Sequence, residues 1–337
     1  MVLLEALLSR VNLSYRPPVE FRRHTGLVFD PFYTLHNVEI GPDLPARMGA
    51  VQAGLVAAGL WEQVDVIKPR DALEDEVCLV HAPAYFRQVR KDVLLGAGRL
   101  STGDTEISEY SLEVALKAAG GVLEAIDAVM RGGVTNAFCA VRPPGHHATP
   151  LRGMGFCIFN HIAIAARYAQ KRFGVGRILI VDWDVHHGNG TQDTFYEDDS
   201  ILYFSSHQHP LFPGTGKRAE TGAGSALGLT VNAPLPAGSG YKEILGEIET
   251  RVEPLLPKFK PELILISAGF DARVDDPLGD FTLVDDEFAL LTRRVMEWAE
   301  DFSSGKIISV LEGGYNLRTL GGAVAAHVKT LAAYDDE

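Results

Sequence analysis

Val181-Asp182-Trp183-Asp184-Val185-His186-His187-Gly188-Asn189-Gly190 decides how the rest of this chain is read. The apolar residues Ile178 to Val181 lead into it, so a buried strand breaks here into a polar loop. Two carboxylates and two imidazoles then fall within six positions. Each such group costs on the order of several kcal/mol to bury unless it is paired or bound to a metal. Asp184 and His186 stand at i and i+2, so in extended backbone their side chains leave the same side. That is a metal-ligand spacing.

Working outward, the same pattern recurs. Ala137 to Val141 leads into Arg142-Pro143-Pro144-Gly145-His146-His147, and Ile201 to Ser205 into Ser206-His207-Gln208-His209-Pro210. Leu263 to Ser267 leads into Ala268-Gly269-Phe270-Asp271, and Ile307 to Leu311 into Glu312-Gly313-Gly314-Tyr315. Between these runs, Ser111 to Met130 carries an apolar stripe at helical spacing, and His161 to Phe173 and Asp286 to Phe302 read the same way. Near-continuous apolar strands alternating with helices predict an α/β fold: a single domain whose central parallel β-sheet is flanked by helices on both faces. Ligands of such sheets sit outside the carboxyl ends of the strands. All five polar clusters lie there and can converge on one site.

The bulk numbers agree with one large globular domain. The chain has 337 residues, 46% hydrophobic and 22% charged, which excludes a disordered polymer. Apolar runs such as Ala53 to Trp61 are too short to span a membrane. Met1 to Leu13 lacks the basic start and clean hydrophobic stretch of a secretory signal, and reads as an amphipathic helix. Residues 1–25 are therefore expected to be an extension packing on a body formed by 26–337. The net charge of −13, without any Lys/Arg run, argues against a nucleic-acid partner. It suits cationic substrates such as polyamines or basic peptides, but ordinary solubility explains it at least as well. Cys78, Cys139 and Cys157 form no Cys-x-x-Cys pair and lie in or near apolar stretches, as free thiols of a reducing, cytoplasmic setting do.

Asp271 ends an apolar strand and delivers a second carboxylate from a different strand than Asp184. Two carboxylates and one imidazole leave a position open on a divalent ion, as catalytic zinc sites do. Read alone, Asp271 serves equally as a turn cap; beside Asp184-x-His186 the ligand reading is preferred. His146 and His147 follow a rigid Pro-Pro-Gly loop and suit proton transfer near neutral pH. Asp182 is placed to hold one of them, and Asn189 to hold the other as a neutral, less basic imidazole. Gly313 and Gly314 let the backbone approach closely, and the phenol of Tyr315 can donate to a developing oxyanion.

These residues carry a resemblance. The chain resembles the histone deacetylase and acetylpolyamine amidohydrolase family, with its arginase/deacetylase-like fold. The matching segments are Arg142 to Ala148, Gly155 to Asn160, Asp182 to Gln192, Phe212 to Gly216, Ala268 to Ala272 and Leu311 to Asn316, within a likeness running over residues 26–330. Trp183, Asn189 and Glu312 resemble the class II branch. The resemblance implies one Zn2+ held by Asp184, His186 and Asp271, a set that ferrous iron also suits. It implies water activated at the metal, His147 as general base and then acid, His146 as its electrostatic partner, and Tyr315 polarising an acyl carbonyl. A structural K+ is implied near Asp182, Asp184, the backbone of His186, Ser205 and Ser206. The substrate tunnel is implied at Gly155, Phe156, Phe212, Leu278 and Gly314, with Asp104 either a rim carboxylate or a loop cap. The implied partner is an acylated amine, acetyl-lysine in a peptide or an acetylated polyamine; assembly into a homo-oligomer is left open.

Two departures stand out. The family's early His-Pro-Glu pattern appears here as Gly41-Pro42-Asp43, and Leu278 replaces the acidic gatekeeper of the polyamine-selective eukaryotic branch. Two rival readings fit these residues less well. A binuclear manganese ureohydrolase of the same fold would need ligands where Gly188 and Arg273 stand. A catalytically dead acyl-lysine binding module would be expected to lack Tyr315.

Overall fold

Ile178–Asp182 forms a strand that is buried at every position. Successive side chains leave opposite faces of a strand, so complete burial requires cover on both sides. The same holds for Asn136–Cys139, Leu263–Ala268 and Ile307–Leu311. A computed structural model describes residues 24–38 and 41–332. In chain order its strands are β1 (Thr25–Val28), β2 (Asp65–Ile67), β3 (Asn136–Cys139), β4 (Ile178–Asp182), β5 (Ile201–Gln208), β6 (Thr230–Leu235), β7 (Leu263–Ala268) and β8 (Ile307–Leu311). They pair in the order β2-β1-β3-β8-β7-β4-β5-β6, every neighbour parallel.

The helices are α1 (Ala46–Ala57), α2 (Glu74–Val77), α3 (Pro83–Leu94), α4 (Ser111–Met130), α5 (His161–Phe173), α6 (Asn189–Phe195), α7 (Tyr241–Glu247), α8 (Leu256–Phe259), α9 (Asp285–Phe302) and α10 (Leu320–Leu331). α4 packs on α5 and on β1, β3 and β8, while α10 packs on α1, α9 and β3. The expected single parallel sheet with flanking helices is the architecture observed. No helix among the described residues is long and apolar enough to cross a membrane.

Local chemistry sets the boundaries near the functional end. α5 starts where the Asn160 side chain accepts from the Ala163 amide and stops at Gly174, whose φ of 69° is left-handed. Lys171 and Arg172 complement the carbonyl end of that helix. Two expectations need adjustment. The strand expected to end at Ser205 continues to Gln208, so Ser206 and His207 lie within β5 rather than in a loop. The sheet also begins at Thr25, the last residue of the expected extension, of which residues 1–23 lie outside the described residues.

The four central strands decide where chemistry is placed. β3, β8, β7 and β4 are adjacent, with Cys139 opposite Val310, Ala268 opposite Leu311 and Asp182 opposite Ser267. Their carboxyl ends therefore stop side by side. The loops bearing His146-His147, Glu312-Tyr315, Asp271 and Asp184-His186 open over one patch of sheet edge.

Candidate active site

Asp184, His186 and Asp271 meet there, all buried, with one potential ligand atom from each within 4.8 Å of the others. His186 Nδ1 lies 3.0 Å from Asp184 Oδ1 and 3.1 Å from Asp271 Oδ2. Backbone amides hold the carboxylates: Gly313 N–H donates to Asp184 Oδ2 at 2.8 Å, and Val185 N–H to Asp271 Oδ1 at 3.0 Å. A Cβ at Gly313 would fall 2.0 Å from Asp271 Oδ2, so only glycine lets the β8 loop come this close. Burial pushes Asp271 up to about 7, with the Asp184 charge adding to it. Burial opposes charging His186, but its bonds to both carboxylates push it up to about 10. Two carboxylates and one imidazole thus form a compact buried donor set that could hold a metal ion.

The two histidines are tuned apart. His146 Nδ1 lies 3.0 Å from Asp182 Oδ2, which also accepts from the Tyr203 hydroxyl at 3.0 Å. Burial disfavours its charge, yet Asp182, Asp184 and Glu312 outweigh this and raise it well above an ordinary imidazole. His147 Nδ1 donates to Asn189 Oδ1 at 2.9 Å, a neutral partner whose amide nitrogen is turned toward the His147 carbonyl at 3.3 Å. Burial and the neighbouring His146 and His186 hold His147 well below the ordinary range. The rings stand 4.0 Å apart. Both expected partnerships, Asp182 with one histidine and Asn189 with the other, are present in this arrangement.

Tyr315 joins them from the β8 loop, its ring 5.8 Å from that of Phe156. Phe212 packs edge-on to His147 at 5.1 Å and reaches His186 at 6.4 Å. Phe212 is 41% exposed, which is a wall open to solvent rather than core packing. Gly155, with φ 56°, lies between these groups: a Cβ there would come 2.4 Å from His147 Cδ2 and 2.9 Å from Phe212 Cε1. Asp104 accepts from the Gly155 amide at 2.9 Å. Leu278 is half-buried, its amide donating to Asp276 at 3.0 Å. The Gly314 carbonyl accepts from Arg47 Nε at 2.7 Å. Ser205 bonds His207 Nδ1 at 2.9 Å, while the hydroxyl of Ser206 is buried without a partner.

Several residues matter here in ways the sequence did not indicate, although Glu312 and Asp43 lie in stretches it had marked. Glu312 Oε2 accepts the amides of Gly145 and His146 at 2.6 and 3.1 Å, pinning the histidine loop to β8. Arg47 donates to the Glu312 carbonyl at 2.5 Å, pairs with Asp43 at 2.6 Å and lies 4.9 Å over the Tyr315 ring. Arg142 donates to the carbonyl of Asp43. The Gly41-Pro42-Asp43 segment therefore props the site from beneath. No spacing in the sequence signals these contacts.

Comparison with known proteins agrees with this geometry. The histone deacetylase domain family matches residues 41–331. A probable deacetylase of Archaeoglobus fulgidus is 39% identical over 296 residues, covering 87% of this chain and 82% of the relative. Polyamine deacetylase HDAC10 of Homo sapiens is 39% identical over 298 residues, 85% of this chain but 44% of that longer protein. The crystal structure of the HDA15 HD domain superposes with a TM-score of 0.86 at 36% identity, covering 92% of this chain and 90% of that one. By sequence, fold and the residues brought together at the strand ends, this chain belongs to the histone deacetylase family.

Proposed function

We propose that this chain is a zinc-dependent amidohydrolase that removes acetyl or related acyl groups from amines, with acetyl-lysine as the leading substrate and N-acetylated polyamines as the second. The observation that carries the reading is the buried Asp184–His186–Asp271 cluster flanked by two histidines of opposite tuning. The donor set fits a catalytic ion: two carboxylates and one imidazole, each carboxylate steadied by a backbone amide. Ferrous iron suits the same donors. Zinc bound there would supply a Lewis acid that makes water acidic near neutral pH and polarises the acyl oxygen.

The chain's own groups do the rest. With Nδ1–H donated to Asn189, His147 presents an unprotonated Nε2, which takes a proton from the attacking water and returns it to the departing amine. His146, held charged by Asp182, stabilises the negative charge that grows beside it. The Tyr315 hydroxyl donates to the acyl oxygen as it becomes an oxyanion. Gly155, Phe156, Phe212 and Leu278 offer narrow apolar walls suited to an aliphatic stem. The apolar Leu278 favours acyl-lysine over a polycation. A K+ beside Asp182 belongs to the same reading: Ser205 is its register partner, and the unpartnered Ser206 hydroxyl follows. Free thiols at Cys78, Cys139 and Cys157 suit a reducing, cytoplasmic setting.

The test is acetate release by zinc-loaded protein from acetyl-lysine peptides and from N-acetylated polyamines, with Tyr315→Phe as control. Turnover of either pool, lost in the variant, supports the reading and names the substrate. Silence on both by folded, zinc-bound protein would favour an acyl-lysine binding module instead.

A further inference from the structure

Between β8 and α10 the chain has no regular structure as it passes Glu312 to Asn316, and Gly314 takes a φ of 120°. The sheet ladder ends at Leu311; backbone bonds hold the Gly313 carbonyl to Phe270 N–H at 3.0 Å and the Asn316 carbonyl to Leu320 N–H at 2.9 Å, and side chains anchor the residues between. Arg47 binds the carbonyls of Glu312 and Gly314, upstream of the tyrosine. The tyrosine itself is held by Asp276. Asp276 Oδ2 accepts Tyr315 N–H at 2.7 Å and Asn316 N–H at 3.3 Å, while Oδ1 accepts Leu278 N–H at 3.0 Å. Asn316 Nδ2 adds a bond to the Asp275 carbonyl at 2.9 Å. Asp276 is only 8% exposed and follows Asp271, on the same loop, by five residues.

One buried carboxylate therefore joins three things: the loop of a metal-ligand residue, the tunnel-wall residue Leu278, and the residue that bears the phenol. An ionised carboxylate accepts on both branches, which three converging N–H groups require. An oxyanion donor is effective only within about 2.7–3.1 Å of the developing charge. A displacement of about 1 Å can cost roughly a hundredfold in rate.

We propose that Asp276 is a positioning residue for acyl hydrolysis, indexing the Tyr315 hydroxyl and the Leu278 wall to the Asp271 loop. The inference rests on the deacylase reading above. Asp276 touches no reacting atom; its effect passes through Tyr315.

The experiment is Asp276→Asn, alone and in the Tyr315→Phe background, followed by steady-state acetate release and zinc content. The variant is isosteric, but its amide NH2 must face either Leu278 N–H or the pair at Tyr315 and Asn316. The expected result is a kcat lower by about tenfold to a hundredfold, with KM and zinc content unchanged. In the Tyr315→Phe background the same change should cost less than about twofold, since the hydroxyl it serves is gone. Equal losses in both backgrounds, a loss carried by KM or zinc content, or an unchanged kcat would overturn the assignment. So would failure of both Asp276→Asn and Asp276→Ser to fold, which would make the residue a stability element. An active parent with an equally active Asp276→Asn removes only this inference. A zinc-loaded parent inert on every acylated amine removes the deacylase reading and this inference with it.

Discussion

Replacing Gly155 by alanine tests the site's shape with a single methyl group. The added Cβ would lie 2.4 Å from His147 Cδ2 and 2.9 Å from Phe212 Cε1. Carbon atoms in contact prefer about 3.5–4.0 Å, so the imidazole, the loop or both must yield by roughly 1 Å. The loop is held by Asp104 at Gly155 N, and the ring by Asn189 at Nδ1, so neither moves freely. Left-handed backbone at φ 56° adds about 1–2 kcal/mol for a residue with a Cβ, and overpacking about 1–3 kcal/mol more. Misplacing the general base by that distance predicts a kcat about a hundredfold lower. Zinc content should not change, because none of the three ligands is touched. Steady-state acetate release, zinc analysis and a denaturant titration on the same preparations measure all of this. A variant with kcat within about twofold of the parent would refute both the placement of His147 and its role.

Four further outcomes follow from the same geometry. Tyr315→Phe should lower kcat by about 10²–10³ with little change in KM, the usual loss for one oxyanion donor; a loss confined to KM would contradict the role. Glu312→Ala leaves two buried amides, those of Gly145 and His146, without an acceptor. At about 1–3 kcal/mol each, the denaturation midpoint should fall clearly and kcat with it, and an unchanged midpoint would count against the pinning role. Burial holds His36, His161 and His207 at about 4, and His81 and His327 at about 3. The unfolded chain binds those protons first, so stability is complete above about pH 6.5 and drains as pH falls toward 4, by at most about 1.4 kcal/mol per histidine per pH unit. Guanidinium midpoints that stay level from pH 7.5 to 5 would contradict this. Removing the metal by chelation should lower the melting temperature, and Asp184→Ala should abolish that response; a response that persists would place the metal elsewhere.

How much of this was legible in the sequence depended on the range of the contacts involved. β4, β7 and β8 were legible because buried parallel strands are near-continuous apolar runs. β6 was not: Asn232 and Pro234 interrupt it, and an edge strand tolerates both since its outer side needs no ladder. β1 and β2 are too short to show a pattern. β5 ran past its expected end because Ser206 and His207 are polar yet buried, satisfied in His207's case by Ser205 and the Gly216 carbonyl. In the site, Asp184-x-His186 and His146-His147 announce themselves by spacing within a few residues. Glu312 and Asp276 act on backbone amides 166 and 39 positions away, and Arg47 on a carbonyl 265 positions away. Only the folded chain brings such partners together, so local pattern holds no trace of them.

The most direct test of the account is a zinc titration of metal-free protein, with acetate release from an acetyl-lysine peptide as the readout. The account predicts activity that rises in proportion to added zinc and saturates at one equivalent per chain, with Asp271→Ala silent throughout. Turnover that survives complete removal of the metal, or that needs a second equivalent, would contradict a single ion held by Asp184, His186 and Asp271.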